Sequence, residues 1–517
     1  MYFNLLIFNS ITRSFPFFGA GFMANHFSGP NRLDDADFRP VRYRDMLPLD
    51  HPARDIETFV AHLDLSLFKA RYKVGDGLKG RAPREIRMIL GVILYAIYQR
   101  TYSARQIDYA TQHQADFWFF TYGERISHDK ISDFINLHEH EVHSVFMETI
   151  LLAQQNDLLD FKGVYQDGYL LKANASKKRN RHMEDLPRQE RRLSDRLTAI
   201  MEELKDKQIA PCLEQEKSRV ESKLAKIGRL RERLNEKIGF RSNDKAPWKA
   251  KEIAASTVIN ETDPDADLMK QKNGSYDTSY LKVSATDAKA DIVVASDVDG
   301  HYDEPHKALP LFKVANENCS GLGHYDTMLA DSNFTSAENC QLFEEAGIAL
   351  IGPTRNHEHD VSNPEEAGSQ VHFTYDEAHR CMRCSEGAVL SEEERYFDKH
   401  KQTTIVVFSN KLACPECQRL KECTSSKYGY RRVKMDVRFP AQQRVLQRYC
   451  SPEGKLLYKK RSHTAETPQG DLKHNGRFLQ LLRRGLKKVR VDSTLQDIVW
   501  NLRRIFNTTG GAIIWST

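Results

Sequence analysis

Two acidic residues interrupt short apolar strands predicted in this chain, and few folds tolerate a carboxylate in that position. Asp167 stands inside the strand-like run Val164–Leu171, and Asp331 follows Met328–Ala330 just before a predicted helix. A buried acid without a partner costs free energy, so a cation or a metal usually neutralises it. The pattern predicts an α/β core. Taken singly, each acid could instead be a helix cap, a turn residue or a member of a surface salt bridge, and only the set of acids with its basic surroundings indicates a shared metal site.

Charge is distributed very unevenly along the chain. Its 517 residues are 40% apolar and 28% charged, which suits globular cores and is too polar for a polytopic membrane protein. The net charge is only +5, yet eleven Lys or Arg and two acids lie between Lys455 and Arg490. Such a concentration indicates a polyanionic partner, with a solvated helix face as the alternative.

The cysteines favour a metal site in a reducing, cytoplasmic setting. There are nine, too few for a disulfide scaffold, and five crowd into residues 381–423. Two C-x2-C pairs supply the ligands of a predicted structural zinc site: Cys381, Cys384, Cys414 and Cys417. Cys423 or His379 could replace one of these ligands, and reduced, metal-free thiols are the alternative to a zinc site.

Changes in periodicity divide the chain into segments. Apolar residues recur every three or four positions in the N-terminal part and again between Leu193 and Ile238, which predicts helices there. The predicted organisation is a non-native or disordered extension (1–22), a helical N-terminal domain (40–155), the first part of the core (160–175 and 255–355), a helical hairpin or coiled-coil insertion (177–245), a cysteine-bearing insertion (356–455) and basic C-terminal helices with a third acid (456–510).

The most specific motif surrounds that third acid, Glu466. Tyr458, Arg461, Glu466 and Lys473 occur as Tyr-x2-Arg-x4-Glu-x6-Lys, and this pattern resembles the signature of bacterial insertion-sequence DDE transposases. The family has one residue fewer between its Arg and Glu. Three further stretches are similar to the segments that carry the family's three acids: 164–168, 329–334 and 466–470.

The resemblance implies an RNase H-like mixed-sheet catalytic core. It implies that Asp167, Asp331 and Glu466 bind two Mg²⁺ or Mn²⁺ ions, and that Tyr458, Arg461 and Lys473 contact phosphates of the element end. The predicted DNA-binding residues are Tyr458, Lys459, Lys460, Arg461, Lys473, Arg477, Arg483, Arg484, Lys487 and Lys488.

The implied function is that of a nucleoid-associated enzyme. It would cleave double-stranded DNA at the terminal inverted repeats of an insertion sequence and join the ends to target DNA. We expect it to act as a homodimer on DNA, without a membrane partner. An inactive DNA-binding descendant and a metal nuclease without strand transfer are the alternatives.

Overall fold

The computed structural model describes residues 42–72, 84–204, 210–243, 247–303, 305–354, 373–399, 402–464, 467–471, 478 and 480–515. These residues fall into two compact units, Met1–Glu141 with Thr509–Thr517, and Val142–Thr508. The predicted extension 1–22 lies outside the described residues. Within them, no helix combines the length and apolar character that a membrane crossing requires.

The helices are numbered in chain order: α1 (Pro52–His62), α2 (Ser66–Ala70), α3 (Ile86–Tyr98), α4 (Ala104–His113), α5 (Ala115–Thr121), α6 (His128–Leu137), α7 (Glu141–Gln155), α8 (Asp185–Glu203), α9 (Ala210–Ser242), α10 (Pro247–Ser256), α11 (Ala308–Asn318), α12 (Ala337–Glu345), α13 (Leu420–Cys423), α14 (Phe439–Cys450), α15 (Pro452–Lys459), α16 (Arg461–Thr464), α17 (Thr467–Gly470) and α18 (Leu486–Thr509).

The strands are β1 (Val164–Lys172), β2 (Asn180–Arg181), β3 (Ile259–Asn260), β4 (Asp267–Lys270), β5 (Tyr276–Asp287), β6 (Ile292–Asp299), β7 (Thr327–Leu329), β8 (Ala349–Ile351), β9 (Phe373–Asp376), β10 (Cys381–Cys384), β11 (Val389–Asp398), β12 (Thr403–Ser409) and β13 (Arg432–Asp436).

The N-terminal unit is helical throughout its described elements, as the sequence predicts. Helix α3 is buried on nearly every side, and α5 packs the aromatic residues Phe117–Phe120 into the same core. Asp108 of α4 accepts hydrogen bonds from Arg125 Nε (2.7 Å) and from the backbone N–H of His128 (3.1 Å). These bonds tie α4 to the start of α6.

A mixed sheet lies at the centre of the second unit. Strand β5 runs antiparallel to β1 on one side and to β4 and β6 on the other, whereas β1, β7 and β8 pair in parallel. The strands predicted within residues 279–296 and before Asp331 are confirmed as β5, β6 and β7. The architecture is therefore mixed α/β, with β1 in the interior of its sheet.

Helix α18 is anchored to this sheet by buried polar contacts. Lys282 of β5 donates from Nζ to Asp497 Oδ1 (2.5 Å), and Ser296 of β6 donates to Asp497 Oδ2 (2.6 Å). The Asn501 side chain also accepts the Val293 backbone N–H (2.9 Å). Charges removed from water need such partners, so these contacts hold α18 in one position on the sheet.

Helices α8 and α9 form an antiparallel hairpin, in agreement with the predicted periodicity. Leu186 shares one buried cluster with Leu234, and Ile200 shares another with Leu213. Pro211, where the apolar pattern breaks, lies in the first turn of α9. A proline is tolerated there because the first N–H groups of a helix have no intrahelical partner.

A second sheet, antiparallel and five-stranded, follows in the order β13-β12-β11-β10-β9. Its small core consists of Met382, Leu390, Val406, Phe408 and Met435. The sequence predicts a cysteine-bearing segment here but no sheet. We name these strands the cysteine sheet.

Candidate active site

Strand pairing brings the first two predicted acids together. Tyr165 of β1 is the parallel partner of Leu329 of β7, and both side chains are buried in one cluster. Asp167 stands two residues after Tyr165 within β1, and Asp331 stands two residues after Leu329, just past the end of β7. Because the two strands pair in parallel, both acids reach neighbouring positions at the same end of the pair.

The Arg461 guanidinium bridges the two carboxylates. Its Nη2 atom lies 3.0 Å from Asp167 Oδ1 and 3.7 Å from Asp331 Oδ2. Arg461 is only 9% exposed, and the side chains of Asp167 and Asp331 are 13% and 28% exposed. One cation therefore offsets the charge of two partly buried acids, where screening by water is weak.

Backbone contacts fix the second acid. Asp331 Oδ1 accepts the backbone N–H of Asn333 at 2.9 Å, leaving Oδ2 to face Arg461. At Gly352, just after β8, an added Cβ would lie 2.4 Å from the Ala330 carbonyl oxygen. Only glycine permits this close approach, which holds the chain beside Asp331.

The segment that carries Arg461 is attached to the same sheet. The Tyr165 hydroxyl donates to the Leu457 carbonyl at 2.9 Å. The rings of Tyr449 and Tyr458 pack edge to face with their centroids 4.9 Å apart, and Arg461 Cζ lies 5.9 Å from the centroid of the Tyr458 ring. Burial raises the pKa of Tyr458 to about 12. Tyr458 thus supports the Arg461 side chain.

Three predicted site residues, Glu466, Lys473 and Arg477, lie outside the described residues. In the described part of the chain, no group of three or more His, Cys, Asp or Glu side chains is arranged to hold a metal ion. Asp167 and Asp331 supply the oxygen donors that Mg²⁺ prefers, and Mg²⁺ usually keeps several waters. The pair fits part of a magnesium site.

The predicted DNA-binding residues divide into two groups. Arg483 forms an ion pair with Asp492 (2.6 Å), and Arg484 donates to the Asn174 carbonyl (2.9 Å) beyond the end of β1. Both therefore hold the start of α18 in place. Lys459, Lys460, Lys487 and Lys488 are exposed, and so is Arg484 despite its contact with Asn174.

The cysteines group differently from the predicted ligand set. Cys384, Cys414, Cys417 and Cys423 border one cavity of about 440 Å³. Cys381 does not line this cavity: residues three apart in a strand point to opposite faces, so Cys381 and Cys384 diverge. Burial raises the pKa of the Cys423 thiol, and the nearby thiols of the other three raise it further. The predicted substitute Cys423 thus stands where Cys381 was expected.

Comparisons with known protein families match two parts of the chain. Residues 41–137 match a family described as "Transposase domain (DUF772)", and residues 380–506 match a "Transposase DDE domain". The second match contains strands β10 to β13 of the cysteine sheet, Arg461 and most of α18, but neither β9 nor Asp167 nor Asp331. No curated protein matches the chain.

Proposed function

Because the chain belongs to the insertion-sequence DDE transposases, we propose that it cleaves DNA at insertion-sequence ends and joins them to target DNA. The reaction is a metal-dependent, in-line phosphoryl transfer. Asp167, Asp331 and Glu466 hold the metal ions, and the exposed lysines bind the DNA backbone. DNA is the partner that a transposase family implies.

The observation that carries this proposal is the convergence of Asp167, Asp331 and Arg461. Phosphoryl transfer needs positioned charge more than covalent chemistry from the protein. Two adjacent carboxylates can hold a divalent cation, and an arginine beside them matches a phosphate group in geometry. The strand order also supports an RNase H-like core, since the first acid lies on β1 and the second follows β7.

The side chains have distinct roles in this scheme. Asp167 and Asp331 present carboxylate oxygens to the metal, with Asp331 oriented by the Asn333 N–H. Bound Mg²⁺ would activate the attacking oxygen and stabilise the leaving oxygen. Arg461 neutralises the acids in the free protein and contacts a phosphate oxygen once DNA is bound. We also propose a homodimer on DNA, because two element ends must be held together.

The test is cleavage of a labelled inverted-repeat duplex by the variants Asp167→Asn, Asp331→Asn and Glu466→Gln. Each should lower Mg²⁺-dependent cleavage by about 10³-fold or more while retaining DNA binding, since the acids stabilise the transition state. Asp326→Asn is the matched control, because Asp326 is exposed and precedes the same strand, β7. Its cleavage should stay at the wild-type rate.

A second assay separates joining from cutting. With a pre-cut end, a transposase transfers the 3′-hydroxyl into target DNA, whereas a nuclease of the same fold releases fragments only. An inactive descendant would bind the duplex and do neither. Retained cleavage in any of the three acid variants would contradict the assignment.

A further inference from the structure

The cysteine sheet carries a cluster of thiols that the proposed chemistry does not use. Cys384 ends β10, Cys414 and Cys417 lie in the turn after β12, and Cys423 ends the short helix α13. All four border the cavity of about 440 Å³. Residues up to 39 positions apart in the sequence are therefore gathered around one space.

Tight turns present these thiols to the cavity. After Cys384, the Gly387 N–H donates to the Cys384 carbonyl at 3.0 Å, and the Glu386 N–H donates to Cys384 Sγ at 3.4 Å. Gly387 adopts φ +82°, which favours glycine. The Cys417 N–H likewise donates to the Cys414 carbonyl at 3.1 Å. N–H donors to sulfur stabilise a thiolate and orient it, as outer partners do at metal sites.

The charge around the cavity suits a metal bound by thiolates. Four thiolates around a divalent ion leave two excess negative charges. Arg431 lines the same cavity and donates to the Cys423 carbonyl at 3.2 Å, so a cation is fixed beside it. Four sulfur ligands select zinc among the common divalent ions, since Mg²⁺ and Ca²⁺ require oxygen.

We propose that Cys384, Cys414, Cys417 and Cys423 bind a structural zinc ion, with Cys381 outside the site. Free thiols do not attract one another, so the side chains close to ligand spacing only when the metal binds. The ion would join the 410–423 segment to the end of β10. That link compensates for the small core of the cysteine sheet.

The first test is metal analysis of the full chain, purified under reducing conditions, without DNA. We expect one zinc per chain. The variants Cys384→Ser, Cys414→Ser, Cys417→Ser and Cys423→Ser should each lower the zinc content at least about tenfold. Cys381→Ser and Cys212→Ser should keep it; Cys212 is exposed on α9 and serves as a distant control. Loss of zinc in Cys381→Ser but not in Cys423→Ser would overturn the ligand set.

A second measurement does not depend on the folding of any variant. Co²⁺ added to the zinc-depleted wild-type chain should give the intense thiolate-to-metal charge-transfer band and the visible bands of a tetrahedral four-sulfur site. Weak, octahedral Co²⁺ spectra, or iron with inorganic sulfide in the purified protein, would overturn the proposal. Neither readout involves DNA cleavage, so this test and that of the proposed function fail independently.

Discussion

The acid pair and the thiol cluster are both built on strands, but they are held in different ways. Asp167 and Asp331 are aligned by the parallel pairing of β1 and β7, and Arg461 of the same chain already offsets their charge. Of the four thiols, Cys384 ends β10, whereas the other three lie in a turn and a short helix beside the sheet, and all four border a cavity. The fold thus brings the two acids together, whereas the proposed thiol site would need a metal ion to close it.

The surroundings reinforce this contrast. The sheet that carries the acids is covered by α18 through the buried Lys282–Asp497 pair. The cysteine sheet relies on exposed ion pairs, such as Arg432 with Glu394 and Arg395 with Glu392. Exposed ion pairs contribute little to the free energy of unfolding. A bound metal should therefore stabilise the cysteine sheet more than the sheet that carries the acids.

The largest expected effect comes from breaking the buried pair that anchors α18. Asp497→Leu leaves Lys282 charged and without its carboxylate partner inside the protein, so the free energy of unfolding should fall by about 4 kcal/mol. Urea unfolding monitored by circular dichroism measures this. Adding Lys282→Met should restore most of the loss, because the pair is then replaced by apolar groups. A double variant as unstable as the single one would contradict the view that the uncompensated charge of Lys282 causes the loss.

A smaller effect is expected at Arg461. Arg461→Met leaves Asp167 and Asp331 facing each other, which should cost about 3 kcal/mol in metal-free buffer. Thermal unfolding should show a larger Mg²⁺-induced gain in melting temperature for this variant than for the wild type. Arg444→Met is the control, since Arg444 forms exposed pairs with Glu344 and Glu377 and should cost less than about 1 kcal/mol. Equal losses in both variants would refute the internal-cation role.

Zinc removal should affect the stability of the cysteine sheet and not that of the sheet that carries the acids. After chelation and return to Mg²⁺ buffer, amide hydrogen exchange in β10–β13 should accelerate roughly tenfold, while β1, β5 and β7 keep their protection. The physical reason is that only the cysteine sheet loses a cross-link. Equal acceleration of amide exchange in both sheets would contradict a zinc site that stabilises the cysteine sheet alone.

The smallest effect concerns the helix that follows Asp331. The Ser336 hydroxyl caps α12 by accepting the Asn339 N–H at 3.2 Å. Ser336→Ala should lower the free energy of unfolding by about 1 kcal/mol and leave metal affinity unchanged, because backbone pairing fixes the acids. A parallel loss of Mg²⁺ affinity, measured by calorimetry, would mean that the acid pair depends on α12.

Sequence reasoning recovered the elements whose residues follow simple rules. The short apolar strand before Asp331 and the helical steps of α8 and α9 are local patterns. Strand β11 was missed because its residues Ser391–Arg395 are mostly charged and largely exposed, so they give no apolar alternation. The position of Cys381 on the face of β10 opposite Cys384 could not be predicted, because C-x2-C spacing carries no information on the direction of side chains in a strand. The contact of Arg461 with both acids depends on tertiary packing, which no local pattern encodes.

We propose that Asp167, Asp331 and Glu466 share one metal site, and radical cleavage at the bound ion tests this most directly. Fe²⁺ in place of Mg²⁺, with ascorbate and peroxide, generates hydroxyl radicals that cut the chain beside the bound ion. We expect cuts near residues 167, 331 and 466 together, all lost in Asp331→Asn and all suppressed by excess Mg²⁺. Cuts near 167 and 331 with none near 466 would contradict a shared metal site.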